Sequence, residues 1–138
     1  MLKAMTPDSF IGTPPDTLLE TLDIKVTEAS PERVVATMPV GPKVHQPFGI
    51  LHGGASVVLA ETVASVGAAS SIDLSTHAAV GLEINANHVR TVKDGQLTAT
   101  ATPLHKGRST HVWSIDIRDS GNKLVCTSRC TMAIIEQK

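Results

Sequence analysis

The sequence predicts an α+β fold in which an antiparallel sheet of about six strands wraps around one long helix. Two features of the 138-residue chain support this prediction. Residues 46–71 contain a long run that is small or apolar on all sides, which is typical of a buried helix. Six other segments have the character of strands, and most of them alternate apolar with polar residues. The chain length favours a single domain spanning residues 1–138.

The N-terminal part predicts a loose start, a short helix and two strands. Residues 1–14 are polar and contain proline, so at most one helical turn is expected there. Asp16 is expected to cap a short helix that ends at Leu22. Residues 22–27 and 33–40 then alternate apolar and polar side chains on either side of a turn, which predicts a pair of strands.

Turn signals at Pro47 and Gly49 precede the central helix, which Gly53 and Gly54 are expected to open. Four further strands are predicted after this helix, and tight-turn signals separate them. The predicted strands are residues 77–91, 96–104, 110–118 and 123–135. Short turns between consecutive strands favour antiparallel pairing.

Composition argues against several classes of function. Phe10, Phe48 and Trp113 are the only aromatic residues, so the chain offers few stacking platforms for single-stranded nucleic acid. The net charge of −1 shows no basic bias, and no nucleic-acid partner is expected. The first residues lack the apolar region of a signal peptide. The apolar run at 55–69 is interrupted by Glu61 and is too short for a convincing membrane span, so we expect a cytoplasmic protein without a membrane partner.

The cysteines and histidines predict neither a disulfide nor a metal site. Cys126 and Cys130 would share one face of a strand roughly 13 Å apart, which is too far for a disulfide bond. Two such thiols are expected in the core, and this suits a reducing cytoplasm. Six histidines are present, but His45 and His52 lack the i, i+4 spacing of a helix-borne zinc pair. We therefore expect no metal and no cofactor.

One carboxylate, Glu61, interrupts the apolar helix. A buried carboxylate is costly unless it is paired or hydrogen-bonded, and an ion pair or an exposed position would be the ordinary explanation. Ser65 lies four residues further on the same helix face, and the polar Gln46 and His52 precede the helix. The helix start at Gly53 offers N–H donors to a developing negative charge. A carboxylate, a hydroxyl, an amide and an oxyanion site together predict acyl-transfer chemistry.

The spacing of these groups predicts a site shared between two chains. Gly53 and Glu61 are eight residues apart, which corresponds to roughly 12 Å along a helix axis. Reacting groups must approach within about 3–3.5 Å, so one straight helix cannot bring both groups to one carbonyl. Two antiparallel copies of the helix could place each Glu61 opposite the Gly53 of the other chain. We therefore expect a dimer with two composite sites.

Three blocks of sequence resemble a known family: Q-P-F-G-I-L-H-G-G-A-S-V-V-L-A-E at 46–61, V-G-L-E-I-N-A-N-H-V-R at 80–90 and P-L-H-K-G at 103–107. In this order they resemble the hotdog-fold acyl-CoA thioesterases, in the branch with a helix carboxylate that includes one class of 4-hydroxybenzoyl-CoA thioesterases. Within this branch, the three blocks look most like the thioesterases that act on 1,4-dihydroxy-2-naphthoyl-CoA in menaquinone synthesis. The proofreading thioesterases of enterobactin synthesis are a nearby family. The resemblance reaches from about residue 18 to the C-terminus and implies a hotdog fold.

The resemblance implies a role for each candidate residue. Glu61 matches a catalytic carboxylate that acts as nucleophile or as general base on water. The Gly53 amide matches the donor that polarises the thioester carbonyl, and Gln46 and His52 match a polar pair beside it. Ser65 matches a Ser or Thr that positions the attacking water, and it comes from the same chain as Glu61. The resemblance also implies paired subunits whose sheets join, usually as a tetramer.

The resemblance further implies contacts to coenzyme A. Candidates are Arg90, Lys106 and Arg108, with His88 and His105 nearby, although a solvated surface charge explains each about equally well. Small residues on the helix are expected to leave a slot for a flat aromatic acyl group; they are Ala64, Gly67 and Ala68. The expected substrate is an aromatic acyl-CoA. Carrier-protein thioesters remain an alternative, as does a binding module without catalytic activity.

Overall fold

A computed structural model describes residues 6–138 of the chain. The expectations for residues 1–5, a loose start without a signal peptide, therefore lie outside the described residues. Pro7–Phe10 forms a short 3-10 helix, which is the helical turn expected in this region. A second short helix, α1, spans Leu18–Thr21, and the long helix α2 spans Gly53–Ser70.

The strands form one six-stranded antiparallel sheet with the order β1-β2-β4-β5-β6-β3. They are β1 Lys25–Ala29, β2 Val34–Pro39, β3 His77–His88, β4 Gln96–Lys106, β5 Thr110–Arg118 and β6 Leu124–Glu136. The predicted α+β class, with six antiparallel strands and one long helix, is confirmed. The order leaves β1 and β3 at the two edges of the sheet.

The region before β1 differs from the prediction. Asp16 does not cap α1, because its φ of 59° places it in the left-handed region, and Thr17 occupies the N-cap position instead. The Asp16 N–H donates to the Glu20 carboxylate at 2.6 Å. Leu22 ends α1, and Asp23 has a φ of 56°, so the strand begins only at Lys25. The alternating apolar residues at 22–27 thus belong partly to the end of a helix.

The sheet wraps around α2, and together they form the core. The predicted inward faces are correct for β4 and β5, since Leu97, Ala99 and Ala101 on one strand are fully buried. Trp113, Ile115 and Ile117 on the next are buried as well, and so are both unpaired cysteines. Burial of such apolar side chains supplies the main driving force for folding.

The small residues of α2 do not leave the expected slot. Ala64 and Ala68 are fully buried, and a Cβ on Gly67 would lie only 2.6 Å from the Trp113 ring. The indole therefore fills the space that a side chain at residue 67 would need. The expected slot beside Ala64, Gly67 and Ala68 is therefore filled by protein atoms.

By length and composition alone, α2 is the single helix of the described chain that could cross a membrane, a property that buried core helices share. Half of it is buried inside the domain. Its apolar character follows from this packing against the sheet, as in other core helices.

Candidate functional site

The start of α2 leaves one backbone N–H group without a partner. His52 occupies the N-cap position, and its Nδ1 accepts a hydrogen bond of 2.8 Å from the Gly54 N–H. The His52 carbonyl accepts from the Ala55 N–H at 3.0 Å. The Gly53 N–H has no acceptor among residues 6–138. Because the helix dipole adds partial positive charge at this end, this N–H can stabilise a carbonyl oxygen that gains negative charge.

Each of the two glycines at this helix start accommodates one imidazole ring. A Cβ on Gly54 would lie 2.9 Å from His52 Nδ1, and a Cβ on Gly53 would lie 2.8 Å from His88 Nε2. Both distances are shorter than real Cβ contacts, so a side chain at either position would displace the neighbouring imidazole ring. The ring of His88 consequently lies beside Gly53, whose N–H has no partner. The sequence predicted only a contact of His88 with coenzyme A.

A cavity of about 330 Å³ opens at this end of the helix, and we call it the donor pocket. It brings together Gln46, Gly53, His88 and Arg90 from three separate segments of the chain. The remaining lining residues are Ile50, Leu51, Ser56, Val89, Thr91 and Val125. A cavity lined by a few polar donors among apolar side chains is typical of a site that orients a small polar group.

Gln46 is held in a tight turn that also orients its side chain. The Gln46 N–H donates to the Ile50 carbonyl at 2.8 Å, and Gly49 has the positive φ of 79° that such a turn favours. The side-chain oxygen of Gln46 accepts from the Phe48 N–H. With this oxygen occupied, the side-chain NH2 group remains available as a donor.

Ser56 is a pocket residue that the sequence reasoning missed. It is fully buried, its hydroxyl has no partner within residues 6–138, and it lines the donor pocket. Ser56 follows Gly53 by three residues, so both lie on one face of the helix. A hydroxyl at this spacing on an otherwise apolar helix was the signal that could have identified it.

Glu61 and Ser65 line a second cavity, of about 480 Å³, which we call the carboxylate pocket. Its walls are largely apolar, and the other lining residues are Leu18, Leu19, Val57, Val58, Thr62 and Val66. No hydrogen bond or ion pair holds the Glu61 carboxylate within the described chain. Of the two ordinary explanations of Glu61, an ion pair finds no partner in residues 6–138, whereas exposure to solvent is met in part, because the residue is only half-buried.

The Ser65 hydroxyl makes no hydrogen bond with the Glu61 carboxylate within residues 6–138; its contact is with Met132. Its oxygen lies 3.9 Å from Met132 Sδ on β6, a weak contact that another acceptor or a water can replace. Burial, followed by the charges of Glu61 and Glu83, raises the pKa of the Cys130 thiol to about 12. Cys130 consequently stays protonated at neutral pH and is not a nucleophile beside Glu61.

Within one chain, the two halves of the candidate site are separate. Gln46 and Gly53 belong to the donor pocket, whereas Glu61 and Ser65 belong to the carboxylate pocket. This separation agrees with the distance expected along the helix from the sequence. Within one chain, Gly53 and Glu61 therefore do not line a common cavity.

The five candidates for binding coenzyme A fall into two groups. His88 and Arg90 are at the donor pocket, whereas Lys106 and Arg108 line a cavity of about 420 Å³ at the other end of α2. Lys106 is already engaged, since its Nζ donates to the Pro31 carbonyl at 3.0 Å and lies 3.9 Å from the Glu32 carboxylate. The fifth candidate, His105, packs against Gly107 in the turn between β4 and β5.

No three histidine, cysteine or acidic side chains in the part of the chain that the structure describes are grouped so that they could hold a metal ion.

Comparisons with known proteins give one consistent result. Residues 48–126 match the family described as the thioesterase superfamily. The chain is 50% identical to the 1,4-dihydroxy-2-naphthoyl-CoA hydrolase of Listeria monocytogenes over 88% of its own length and 98% of that protein. It is 42% identical to the proofreading thioesterase EntH of Cronobacter turicensis over 95% of both chains. A thioesterase structure from Haemophilus influenzae superposes with a TM-score of 0.88 at 42% identity, covering 97% of this chain and 93% of that one.

Proposed function

This chain belongs to the thioesterase superfamily and is a thioester hydrolase of the hotdog fold, and on this premise we propose that its substrate is an aromatic acyl-CoA. The proposed substrates are 1,4-dihydroxy-2-naphthoyl-CoA or a benzoyl-type thioester, and the products are the free acid and CoA. The name of the Listeria relative supports this class of substrate.

One observation carries the proposal: Glu61 has no partner in residues 6–138 and lies at an apolar pocket large enough for an aromatic group. We assign the acyl ring to this pocket, against Val57, Val58 and Val66. The carboxylate then stands beside the thioester carbon. It either attacks that carbon directly or removes a proton from a water that attacks.

The donor pocket supplies the groups that stabilise the reaction. We assign the N–H of Gly53, which has no acceptor in residues 6–138, and the side-chain NH2 of Gln46 to the carbonyl oxygen as it gains charge. His52 accepts hydrogen bonds from the N–H groups of Gly54 and Ala55. Since it does not bind the N–H of Gly53, we propose that this N–H is available to the substrate.

If Glu61 acts as the base, the proton it takes from the attacking water passes to the CoA thiolate as the C–S bond breaks. If Glu61 acts as the nucleophile, the thiolate leaves and a mixed anhydride forms, which a water then hydrolyses while supplying a proton to the thiolate. In both routes we assign Ser65 to position the water.

Coenzyme A is assigned to the donor pocket and the surface beyond it. Arg90 and His88 line this pocket, and we assign them to the pantetheine chain. Lys106, Arg108 and His105 are proposed for the phosphates of the nucleotide end, because phosphates bind strongly to basic side chains. Since these groups are at opposite ends of α2, a second chain has to bring them to one CoA molecule.

Assembly and location are parts of the same proposal. The β3 edge carries exposed Val80 and Leu82, and an exposed apolar edge strand of this kind favours pairing with a second copy. We propose a dimer in which the sheets of two chains join at β3. Two such dimers then pair to form a tetramer. The buried, unpaired Cys126 and Cys130 support a cytoplasmic location.

A second candidate is proofreading hydrolysis of thioesters on an aryl or acyl carrier protein. The 42% identity to a proofreading thioesterase supports it. The chemistry at Glu61 would be the same, and only the carrier of the acyl group would differ: a carrier protein in place of coenzyme A. A binding module without catalytic activity is not supported, because the relatives of this chain are named as thioesterases or hydrolases.

The test is a thiol-release assay on the wild-type protein and on Glu61→Gln, with benzoyl-, naphthoyl- and palmitoyl-CoA and matched carrier-protein thioesters. We expect higher kcat/KM for the aromatic acyl groups than for palmitoyl-CoA. Glu61→Gln should keep its fold and substrate binding, yet lose at least about 100-fold in kcat. Near-normal turnover of Glu61→Gln, or equal kcat/KM for palmitoyl-CoA, would contradict the proposal.

A further inference from the structure

The Glu61 carboxylate rests against the backbone of β3. A Cβ on Gly81 would lie 2.8 Å from Glu61 Oε2 and 3.4 Å from Glu61 Cδ. The first of these distances is shorter than real Cβ atoms allow. The carboxylate therefore occupies the space that any side chain at residue 81 would take.

Space, and not backbone conformation, explains the glycine at this position. Positive φ values occur among the described glycines at Gly12, Gly49 and Gly95, but not at Gly81. An alanine at residue 81 would thus meet no backbone strain. The group that would have to move is the end of the flexible Glu61 side chain.

An irregularity of the sheet is located at the same point. Gly81 pairs with Met132 and Glu83 pairs with Thr131, so Leu82 is an extra residue that bulges from the ladder. Bulges redirect neighbouring side chains and are frequent beside active sites. Ser65, which belongs to the same candidate site, touches Met132, the partner of Gly81.

We propose that Gly81, at the bulge of β3, is a positioning residue that sets where the Glu61 carboxylate stands. This rests on the role proposed for Glu61. No hydrogen bond or ion pair holds the carboxylate elsewhere in residues 6–138, so the close approach to Gly81 is the contact that limits its position on the β3 side. An added methyl group pushes the carboxylate off the bulge and away from the thioester carbon.

The experiment compares Gly81→Ala with Gly41→Ala. Gly41 has nothing within 4 Å of a Cβ, so the control adds the same methyl group in open space. We expect Gly81→Ala to lower kcat by about 10- to 100-fold with KM changed less than about threefold, since displacements near 1 Å have effects of this size. Gly41→Ala should match the wild type in both constants.

A double variant separates positioning from a general effect on the fold. Glu61→Asp shortens the side chain by one methylene, which relieves the contact with an alanine at residue 81. Glu61→Asp combined with Gly81→Ala should therefore lose clearly less activity than the product of the two single losses. Multiplicative losses would show independent sites and overturn the proposal.

Crystal structures and sedimentation complete the test. The Gly81→Ala structure should show a displaced Glu61 carboxylate in an unchanged assembly. Wild-type kcat, an unmoved carboxylate or a broken assembly in this variant would each overturn the role of Gly81. An active Glu61→Gln variant would instead overturn the proposed function, so the two failures are distinguishable.

Discussion

His52 has two separable tasks in the candidate site. Its ring accepts the Gly54 N–H and caps α2. The residue is exposed, so its remaining nitrogen is available for the contact with the thioester carbonyl that the resemblance implies. Asparagine can also cap a helix through its side-chain oxygen, whereas alanine cannot. Substitutions at this one residue can therefore distinguish capping from contact with the substrate.

We predict that His52→Ala lowers the free energy of unfolding by about 1 kcal/mol, whereas His52→Asn stays within a few tenths. Urea unfolding at one fixed protein concentration measures this difference. If both variants lose turnover while only the alanine variant loses stability, the ring also acts on the substrate. Equal destabilisation by both substitutions would show that the cap contributes nothing.

Strand β5 contains a buried histidine among its apolar inward residues. His111 is 3% exposed, and its Nδ1 accepts a hydrogen bond of 3.4 Å from Trp113 Nε1. Burial lowers the pKa of the His111 imidazole below its ordinary value of 6.5, and the nearby charges of Lys106 and His105 lower it further. The folded protein therefore holds this ring neutral at pH values where the unfolded chain is protonated.

It follows that the contribution of His111 to stability is present above about pH 6.5 and is lost as the pH falls through the lowered folded-state pKa. Each unit of lowering corresponds to about 1.4 kcal/mol. We predict that wild type loses more stability than His111→Gln between pH 7.5 and pH 5, because glutamine does not titrate. Parallel pH profiles of unfolding free energy for the two proteins would contradict this.

At the scale of elements, local patterns predicted most of the secondary structure. Strand β5 has the predicted bounds, and α2 begins at Gly53 as expected. The error at residues 22–27 has a physical cause, since α1 ends there with Asp23 at positive φ before the strand begins. Apolar alternation could not reveal this, because short helices and strands bury side chains at overlapping spacings.

The whole molecule is expected to work as a dimer with shared sites. One chain separates Gly53 from Glu61 into two pockets, and Phe48, beside Gln46, is 89% exposed. A large apolar side chain at this position is consistent with cover by a second chain. A two-fold axis would then form two equal composite sites.

We predict that inactive Glu61→Gln and inactive Gln46→Ala chains regain activity when they are unfolded and refolded together. In a mixed dimer, one site collects both lesions and the other has neither. Random pairing makes about half of the dimers mixed, with one intact site in each, so about one quarter of wild-type activity should return. If native mass spectrometry shows mixed dimers and the thiol-release assay stays negative, each site is built within one chain.

By itself, the sequence determined the fold class and the order of the elements, and it singled out Glu61; it also predicts a second chain, which stays a prediction. These properties follow from local periodicity and from distances along one helix, which a linear pattern specifies. Only the tertiary structure decided that His88 lies against Gly53, that Ser56 lines the donor pocket and that Gly81 lies under Glu61. The same holds for the sheet order, which places β3 beside β6 at an open edge. The physical reason is that contacts between residues distant in the chain depend on how whole elements pack, and no local pattern specifies that packing.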